Sequence, residues 1–270
     1  MAFLLEGKNA VITGGARGIG KAIAERYLNE GASLYLIDIH EENLRNTQSE
    51  LAALAGNNKV EIGWADVGKS GDVARCVDEA YSLLSSIDIV VSNAGVAFET
   101  PFLKVEENEL NKIIDVNLKG MFLVCQGFAR RMVSDSRILK EGGRIITMGS
   151  KNGLVGEPGY THYGASKGGV IALTRAMAAE LAPYNITVNC VCPGYLVTPM
   201  SQEIDDPQFA RSIAHHLIPS RRSGNMEDVT GTFVFLATDD ARWIIGQTIV
   251  IDGGQTCVSG NLPLWYEKHP

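Results

Sequence analysis

The sequence predicts an α/β fold: a doubly wound, three-layer sandwich with helices on both faces of a seven-stranded parallel sheet. Three observations predict it. Apolar β-type runs alternate with helical patterns along the 270 residues, the order of successive βαβ units. The runs are apolar on both faces, as strands covered from both sides must be. The first run empties into Thr13-Gly14-Gly15-Ala16-Arg17-Gly18-Ile19-Gly20, and a helical pattern follows directly.

The elements follow in order. Residues 8–13 read as a short buried strand ending in glycines, and 18–30 as a helix stopped by Gly31. Residues 33–39 form the second strand and 41–55 the second helix. The third pair is 59–65 and 70–85. Residues 87–92 form the fourth strand, and 106–133 hold one or two long helices. The fifth strand is 143–149, followed by a long Ala-rich helix at 160–181. The sixth and seventh strands are 186–192 and 247–251. The stretch from 193 to about 224 is the least regular and reads as a lid, since long loops in compact domains are usually functional. Residues 1–254 are expected to form a single domain. The C-terminal extension 255–270, apolar in Asn261-Leu262-Pro263-Leu264-Trp265-Tyr266, is expected to pack at a subunit interface or near a neighbouring subunit's pocket, because such a surface is a liability when exposed.

Composition narrows the partners. The apolar content of 45% and charged content of 20% are ordinary for a globular chain with a sizeable core. Net charge is −7, and the basic residues are scattered apart from pairs such as Arg130-Arg131 and Arg221-Arg222. Nucleic acid needs a clustered basic surface, so that partner is set aside. No apolar run reaches the ~18–20 residues of a membrane span, and the N-terminus lacks the basic region of a signal peptide. A cytosolic protein is expected. The five Cys match no zinc spacing. In Cys190-Val191-Cys192 the two thiols are expected on opposite faces of the sheet, reduced and buried. His215 and His216 are adjacent, but no Cys or carboxylate stands at ligand spacing, so no metal is expected.

The glycine-rich turn has a specific physics. Glycines let the backbone turn tightly and approach a pyrophosphate closely, and the following helix offers free N–H groups and a positive dipole end. Between a strand and a helix this is the Rossmann-type dinucleotide signature. Gly14, Arg17, Gly18, Ile19 and Gly20 are its candidate residues. Asp38 ends the second strand 18 residues after Gly20, close to the ~20-residue offset of an acid that bonds the adenine ribose. Its carboxylate repels a 2′-phosphate, and neighbouring Ile39 and His40 offer no cation to receive one. NAD is therefore preferred over NADP, with Arg17 the one argument on the other side.

Tyr163-Gly164-Ala165-Ser166-Lys167 places Tyr and Lys at i and i+4, on one face of the predicted helix. A phenol is a poor base at its ordinary pKa of ~10. An ammonium one turn away is expected to lower it, so that Tyr163 exchanges a proton with an alcohol or a carbonyl near neutral pH. Ser150 follows the fifth strand, where strand ends line the ligand crevice of a doubly wound sheet. Its hydroxyl is placed to hold a substrate oxygen.

These residues resemble the short-chain dehydrogenase/reductase family. Thr13-Gly14 through Gly20, Asn93-Ala94-Gly95, Asn117, Ser150, Tyr163 with Lys167, Pro193-Gly194 with Thr198, and Asp252-Gly253-Gly254 occur in the family's order, spanning residues 7 to about 254. The resemblance implies an NAD(H)-dependent oxidoreductase that interconverts a secondary alcohol and a ketone or aldehyde, assembled as a homotetramer. In it Tyr163 is the general acid/base. Lys167 lowers the Tyr163 pKa and holds the nicotinamide ribose. Ser150 orients substrate, and Asn117 holds a water for proton relay. Ile19 contacts the cofactor through its backbone, and Asp66 beside Val67 bonds the adenine. Asn93 and Gly95 line the adenosine side; Pro193, Leu196 and Thr198 hold the nicotinamide end. One departure stands out: Ser92 occupies a position that is often Asn.

Substrate candidates beyond Ser150 and Tyr163 are Asn152, His162 and Tyr195, with Lys151, Glu157 and the lid from 200 to 222. Several are polar, which suits a sugar, a polyol or a hydroxy acid. A 3-oxoacyl chain on acyl carrier protein is the alternative; Arg130 and Arg131 supply part of the basic patch it needs, but Glu180 opposes one. A non-catalytic NAD sensor is a third reading.

Overall fold

The computed structural model describes residues 3–204 and 207–258. Seven strands form one parallel sheet in the order β3-β2-β1-β4-β5-β6-β7. They are β1 (Asn9–Thr13), β2 (Ser33–Asp38), β3 (Val60–Trp64), β4 (Ile89–Ser92), β5 (Gly143–Met148), β6 (Ile186–Pro193) and β7 (Thr248–Ile251). Strands β1, β2, β4, β5 and β6 are almost wholly buried, so neither face alternates with polar residues. The order reverses between β1 and β4, and a crevice opens at the carboxyl ends of the strands at such a reversal.

Helices cover both faces. On one side α3 (Ser70–Leu84), α4 (Glu107–Ile114), α5 (Met121–Met132) and α7 (Thr161–Leu181) follow the predicted periodicity. Their apolar stripes bury Val73, Val77, Val124, Phe128, Val170 and Ile171 against β1, β4, β5 and β6. On the other, α1 (Gly18–Asn29) and α2 (Glu41–Ala52) bury Ile23, Ala24, Tyr27, Leu44 and Leu51. Full burial of one such side chain stabilises by roughly 1.5–3 kcal/mol. Among the described residues no helix is long and apolar enough to cross a membrane.

Four helices were not anticipated. The short α6 (Ser136–Glu141) is fixed by Asp135, whose carboxylate accepts from the backbone N–H groups of Arg137 and Ile138. The segment read as irregular carries α8 (Pro199–Ile204) and α9 (Pro207–Leu217). The last, α10 (Glu227–Ala237), holds Thr-Phe-Val-Phe, residues of strand preference. Tertiary packing overrides that preference: Phe233 and Val234 are buried, and the Tyr27 hydroxyl donates to the Phe233 carbonyl at 2.8 Å. Within the stretch 106–133, helical backbone runs from Glu107 to Met132 and widens into a π-type turn at Asp115–Gly120 between α4 and α5.

The expectation for Cys190 and Cys192 is corrected. Side chains two apart in a strand share a face, and the two Sγ atoms lie 3.7 Å apart in the core. Residues 259–270, most of the expected interface extension, lie outside the described residues.

Candidate functional site

One cleft of about 1250 Å³ runs along the carboxyl ends of β1, β2, β4, β5 and β6. At one end lies the glycine turn. Gly14 has φ +67°, and a Cβ there would stand 2.8 Å from Asn93 Nδ2 and 3.0 Å from Ala94 Cα. The turn is thus pressed against the end of β4. Asn93 locks the two strands together, its Nδ2 donating to the carbonyls of Thr13 (2.9 Å) and Gly14 (3.2 Å). No side chain caps α1 at Arg17, and no acid sits in its first turn, so its N–H groups and positive dipole end are available to an anion.

Gly20 is corrected as a wall residue. It does not line the cleft. A Cβ there would lie 2.0 Å from the Gly14 carbonyl oxygen. Its role is to let α1 pack against the turn.

Asp38 is buried at the end of β2. Its carboxylate accepts from the Ala16 N–H (3.1 Å) and the His40 N–H (3.0 Å). It therefore anchors the glycine turn while facing the cleft. Ile39 lines the same wall, its carbonyl accepting from the Trp64 indole at 2.9 Å. Beyond them stand Asp66 and Val67; Asp66 Oδ1 accepts from the Gly68 N–H at 3.0 Å.

At the other end Ser150, Tyr163 and Lys167 line the cleft together. Ser150 Oγ accepts from the Asn152 N–H at 3.2 Å. The Lys167 ammonium is buried and donates to the Met148 carbonyl at 2.8 Å. Burial pulls its pKa down to about 8. Tyr163 departs from expectation: burial raises the phenol above its ordinary value, and the Ser150 hydroxyl, not Lys167, is the group that pulls it back down. Lys167 is aimed at the Met148 carbonyl instead, its Nζ 5.7 Å from the Tyr163 ring centroid.

Gly95 makes room for this amine. A Cβ at that position would lie 3.6 Å from Lys167 Nζ and 3.2 Å from Asn117 Oδ1. Asn117 itself sits behind the wall, wholly buried. Its Oδ1 accepts from the Val96 N–H (2.8 Å), and its Nδ2 donates to the Val96 carbonyl (2.9 Å) and to Ser166 Oγ (3.1 Å). The π-type turn presents Asn117 to this backbone, and such turns concentrate at functional sites.

Pro193, Leu196 and Thr198 flank the same end, with Asn152 and Tyr195. His162 is corrected. It does not line the cleft; its ring is buried with Nε2 2.8 Å from Glu109 Oε1, between α7 and α4. The preceding helical position points inward where Tyr163 points to the cleft. Sequence reasoning also gave no role to Glu99, Asn108, Asn111 and Lys112, which line the cleft. The signal for Asn108, Asn111 and Lys112 was the polar face of the short α4, and Glu99 stands on the loop after β4. Lys151 is buried, its ammonium 2.6 Å from the Glu157 carboxylate, and both groups face the cleft.

Known proteins resemble this chain throughout. Residues 14–256 match the family model described as enoyl-(acyl carrier protein) reductase. The 3-oxoacyl-[acyl-carrier-protein] reductase of Thermotoga maritima is 39% identical over 250 residues, covering 93% of this chain and 98% of that protein. The glucose 1-dehydrogenase of Gluconobacter oxydans is 34% identical over 251 residues, covering 93% and 92%. The crystal structure of a short-chain type dehydrogenase/reductase from Mycobacterium marinum superposes with a TM-score of 0.88 at 36% identity, covering 95% of this chain and 98% of that one.

Proposed function

Because this chain belongs to the short-chain dehydrogenase/reductase family, we propose that it is an NAD(H)-dependent oxidoreductase interconverting a secondary alcohol and a ketone or aldehyde. Family membership makes it an oxidoreductase with a nicotinamide cofactor. The observation that supports the finer reading is a single cleft with Asp38 at one end and Ser150, Tyr163 and Lys167 at the other. The cleft fits the cofactor: the Gly14 turn leaves no space for a side chain, and α1 opens uncapped towards it. Gly14, Arg17, Gly18 and Ile19 would hold the pyrophosphate, with Asp38 at the adenine ribose and Pro193, Leu196 and Thr198 at the nicotinamide. A carboxylate already fixed by two backbone donors and facing the cleft favours NAD, since a 2′-phosphate would be repelled there.

A nicotinamide held there would supply or accept the hydride. Tyr163 handles the proton at the substrate oxygen. Its raised pKa keeps the phenol protonated at neutral pH, so it is poised to donate to a carbonyl. Ser150 donates to the same oxygen and stabilises charge as it develops. Lys167 anchors to Met148 and holds positive charge beneath the site. Asn117 positions the Val96 backbone and, through it, the wall behind Lys167. In this reading the enzyme works in the cytosol as a homotetramer.

The substrate reading is a small polar molecule, a sugar, polyol or hydroxy acid. It is supported by the Lys151–Glu157 pair. The pair puts an ammonium and a carboxylate on the cleft wall; substrate hydroxyls bond such groups, whereas an apolar acyl chain would only strip water from them. A 3-oxoacyl-[acyl-carrier-protein] reductase is the second reading, favoured by the relatives bearing that name at 32–39% identity. Against it, Arg131 is taken up by Asp78 at 2.9 Å and by the Tyr81 ring. Arg131 also stands about 18 Å along the helix from the cleft residue Lys119, at 1.5 Å per residue. The test is NADH turnover on a panel of ketoses, keto acids and 3-oxoacyl thioesters. Preference for the thioesters would move the protein to the second reading; no turnover on any of them, with NADH bound, would leave the sensor.

A further inference from the structure

The segment after β6 borders a second, open-mouthed cavity of about 430 Å³. It adjoins the main cleft through Tyr195 and Ser201, which line both. The charged groups on its wall are all basic among the described residues: Arg211 on α9, then Arg221 and Arg222 on the loop behind it, with the His215 ring beside them. Arg222 is gripped by Asp228 through bonds of 2.6 and 2.7 Å. Arg211 makes no ion pair among the described residues. Arg221 adopts φ +56°, a left-handed backbone that a non-glycine residue holds only under constraint from its surroundings. Like charges gathered round one cavity repel, and the Asp228 carboxylate offsets that of Arg222. The volume is in the ~300–1,000 Å³ range of small-ligand sites.

We propose that this cavity is an anion subsite, holding a carboxylate or phosphate at the far end of a substrate whose carbonyl lies at Tyr163. The proposal rests on the function given above. A guanidinium fork matches either group with two parallel hydrogen bonds. The Lys151–Glu157 pair is neutral as a unit and faces the reacting end. The anionic group is therefore received at the lid, and hydroxyls are received beside Ser150.

Two measurements on the full-length protein test it. In calorimetry with saturating NADH, inorganic phosphate binds, and Arg211→Gln weakens it at least fivefold while Arg211→Lys, which keeps the charge without the fork, restores part. In steady-state reduction, fructose is compared with fructose 6-phosphate and 5-ketogluconate, and acetoacetyl-N-acetylcysteamine with acetoacetyl-coenzyme A. The anionic member has a KM at least tenfold lower. Arg211→Gln removes that advantage with kcat unchanged and the neutral member unaffected. Which pair shows the effect separates a sugar acid or sugar phosphate from a phosphate-bearing thioester. Equal KM values within every pair, or phosphate binding indifferent to Arg211, overturn the subsite. Arg211-dependent phosphate binding without turnover of any ketone overturns the proposed oxidoreductase function and leaves the subsite standing.

Discussion

Lys167 Nζ lies 5.7 Å from the centre of the Tyr163 ring and donates to the Met148 carbonyl at 2.8 Å. The amine is thus tied to the end of β5, and the phenol one helical turn away keeps its proton. Tyr163→Phe should remove the proton donor and nothing else. We expect kcat to fall at least ~10²–10⁴-fold, the usual value of positioned acid–base catalysis, with the NADH dissociation constant within twofold of wild type by fluorescence titration. Loss of NADH binding instead would mean that the phenol serves the cofactor rather than the substrate.

Ser150 is the group that draws the Tyr163 pKa down against burial. Ser150→Ala should therefore raise that pKa further. Alcohol oxidation needs the phenolate, so the acid limb of its kcat/KM profile should move to higher pH. Carbonyl reduction needs the phenol, so its alkaline limb should move up as well. A rate loss with both limbs in place would leave Ser150 only an orienting role.

Lys167 has a pKa of about 8 in the fold, against an ordinary value of 10.5. Between these values the unfolded chain binds the extra proton, so this residue makes stability rise with pH from about 8 to about 10.5. Below the folded value both states are protonated and the contribution is constant. In Lys167→Met that slope should vanish. Urea midpoints measured at about pH 8 and pH 10 should differ less in the variant than in wild type; an equal difference would mean that the amine is not titrating in this window.

The strands and the glycine turn could be read from sequence because their signals are local: an apolar run, a positive-φ glycine, an acid at the next strand end. Ser150, Tyr163 and Lys167 were legible for the same reason, two of them being one helical turn apart. What local pattern does not carry is direction. His162 and Tyr163 are neighbours, yet helical geometry sends one into the α4 contact and the other into the cleft. The Lys167 donor bond goes to Met148, 19 residues back in the chain, and only the packing of α7 on β5 sets it. For α10, Val and Phe signal a strand until the partner surface on α1 is known. The thiols of Cys190 and Cys192 were misplaced by a slip in period, since a strand returns to the same face every second residue.

Asp38 both anchors the glycine turn and faces the cleft. Asp38→Ala removes the repulsion of a 2′-phosphate and also releases the Ala16 and His40 N–H groups. The expected outcome is a KM for NAD raised about tenfold with the KM for NADP unchanged or lower, so that the ratio of kcat/KM values falls by one order of magnitude or more. Wild-type enzyme that already prefers NADP would refute the ribose argument outright.

Gly20 gives the sharpest test of the turn. A Cβ there would meet the Gly14 carbonyl oxygen at 2.0 Å and its carbon at 2.8 Å, with Asn93 Nδ2 at 2.6 Å. Two of the three are backbone, so no rotamer change relieves the clash. Gly20→Ala should force α1 off the turn, costing about 3 kcal/mol, the upper end for overpacking. NADH binding should weaken at least tenfold, because the helix N-terminus no longer faces the cleft. Gly71→Ala is the matched control: it lies in α3 with nothing within 4 Å of its Cβ position. That change should be neutral or stabilising by up to about 1 kcal/mol, the helix preference for alanine. Thermal melts and NADH titrations of the two variants side by side separate packing at the turn from the general effect of adding a methyl group. A Gly20→Ala protein that melts with wild type and binds NADH normally would show that α1 does not sit against the Gly14 carbonyl.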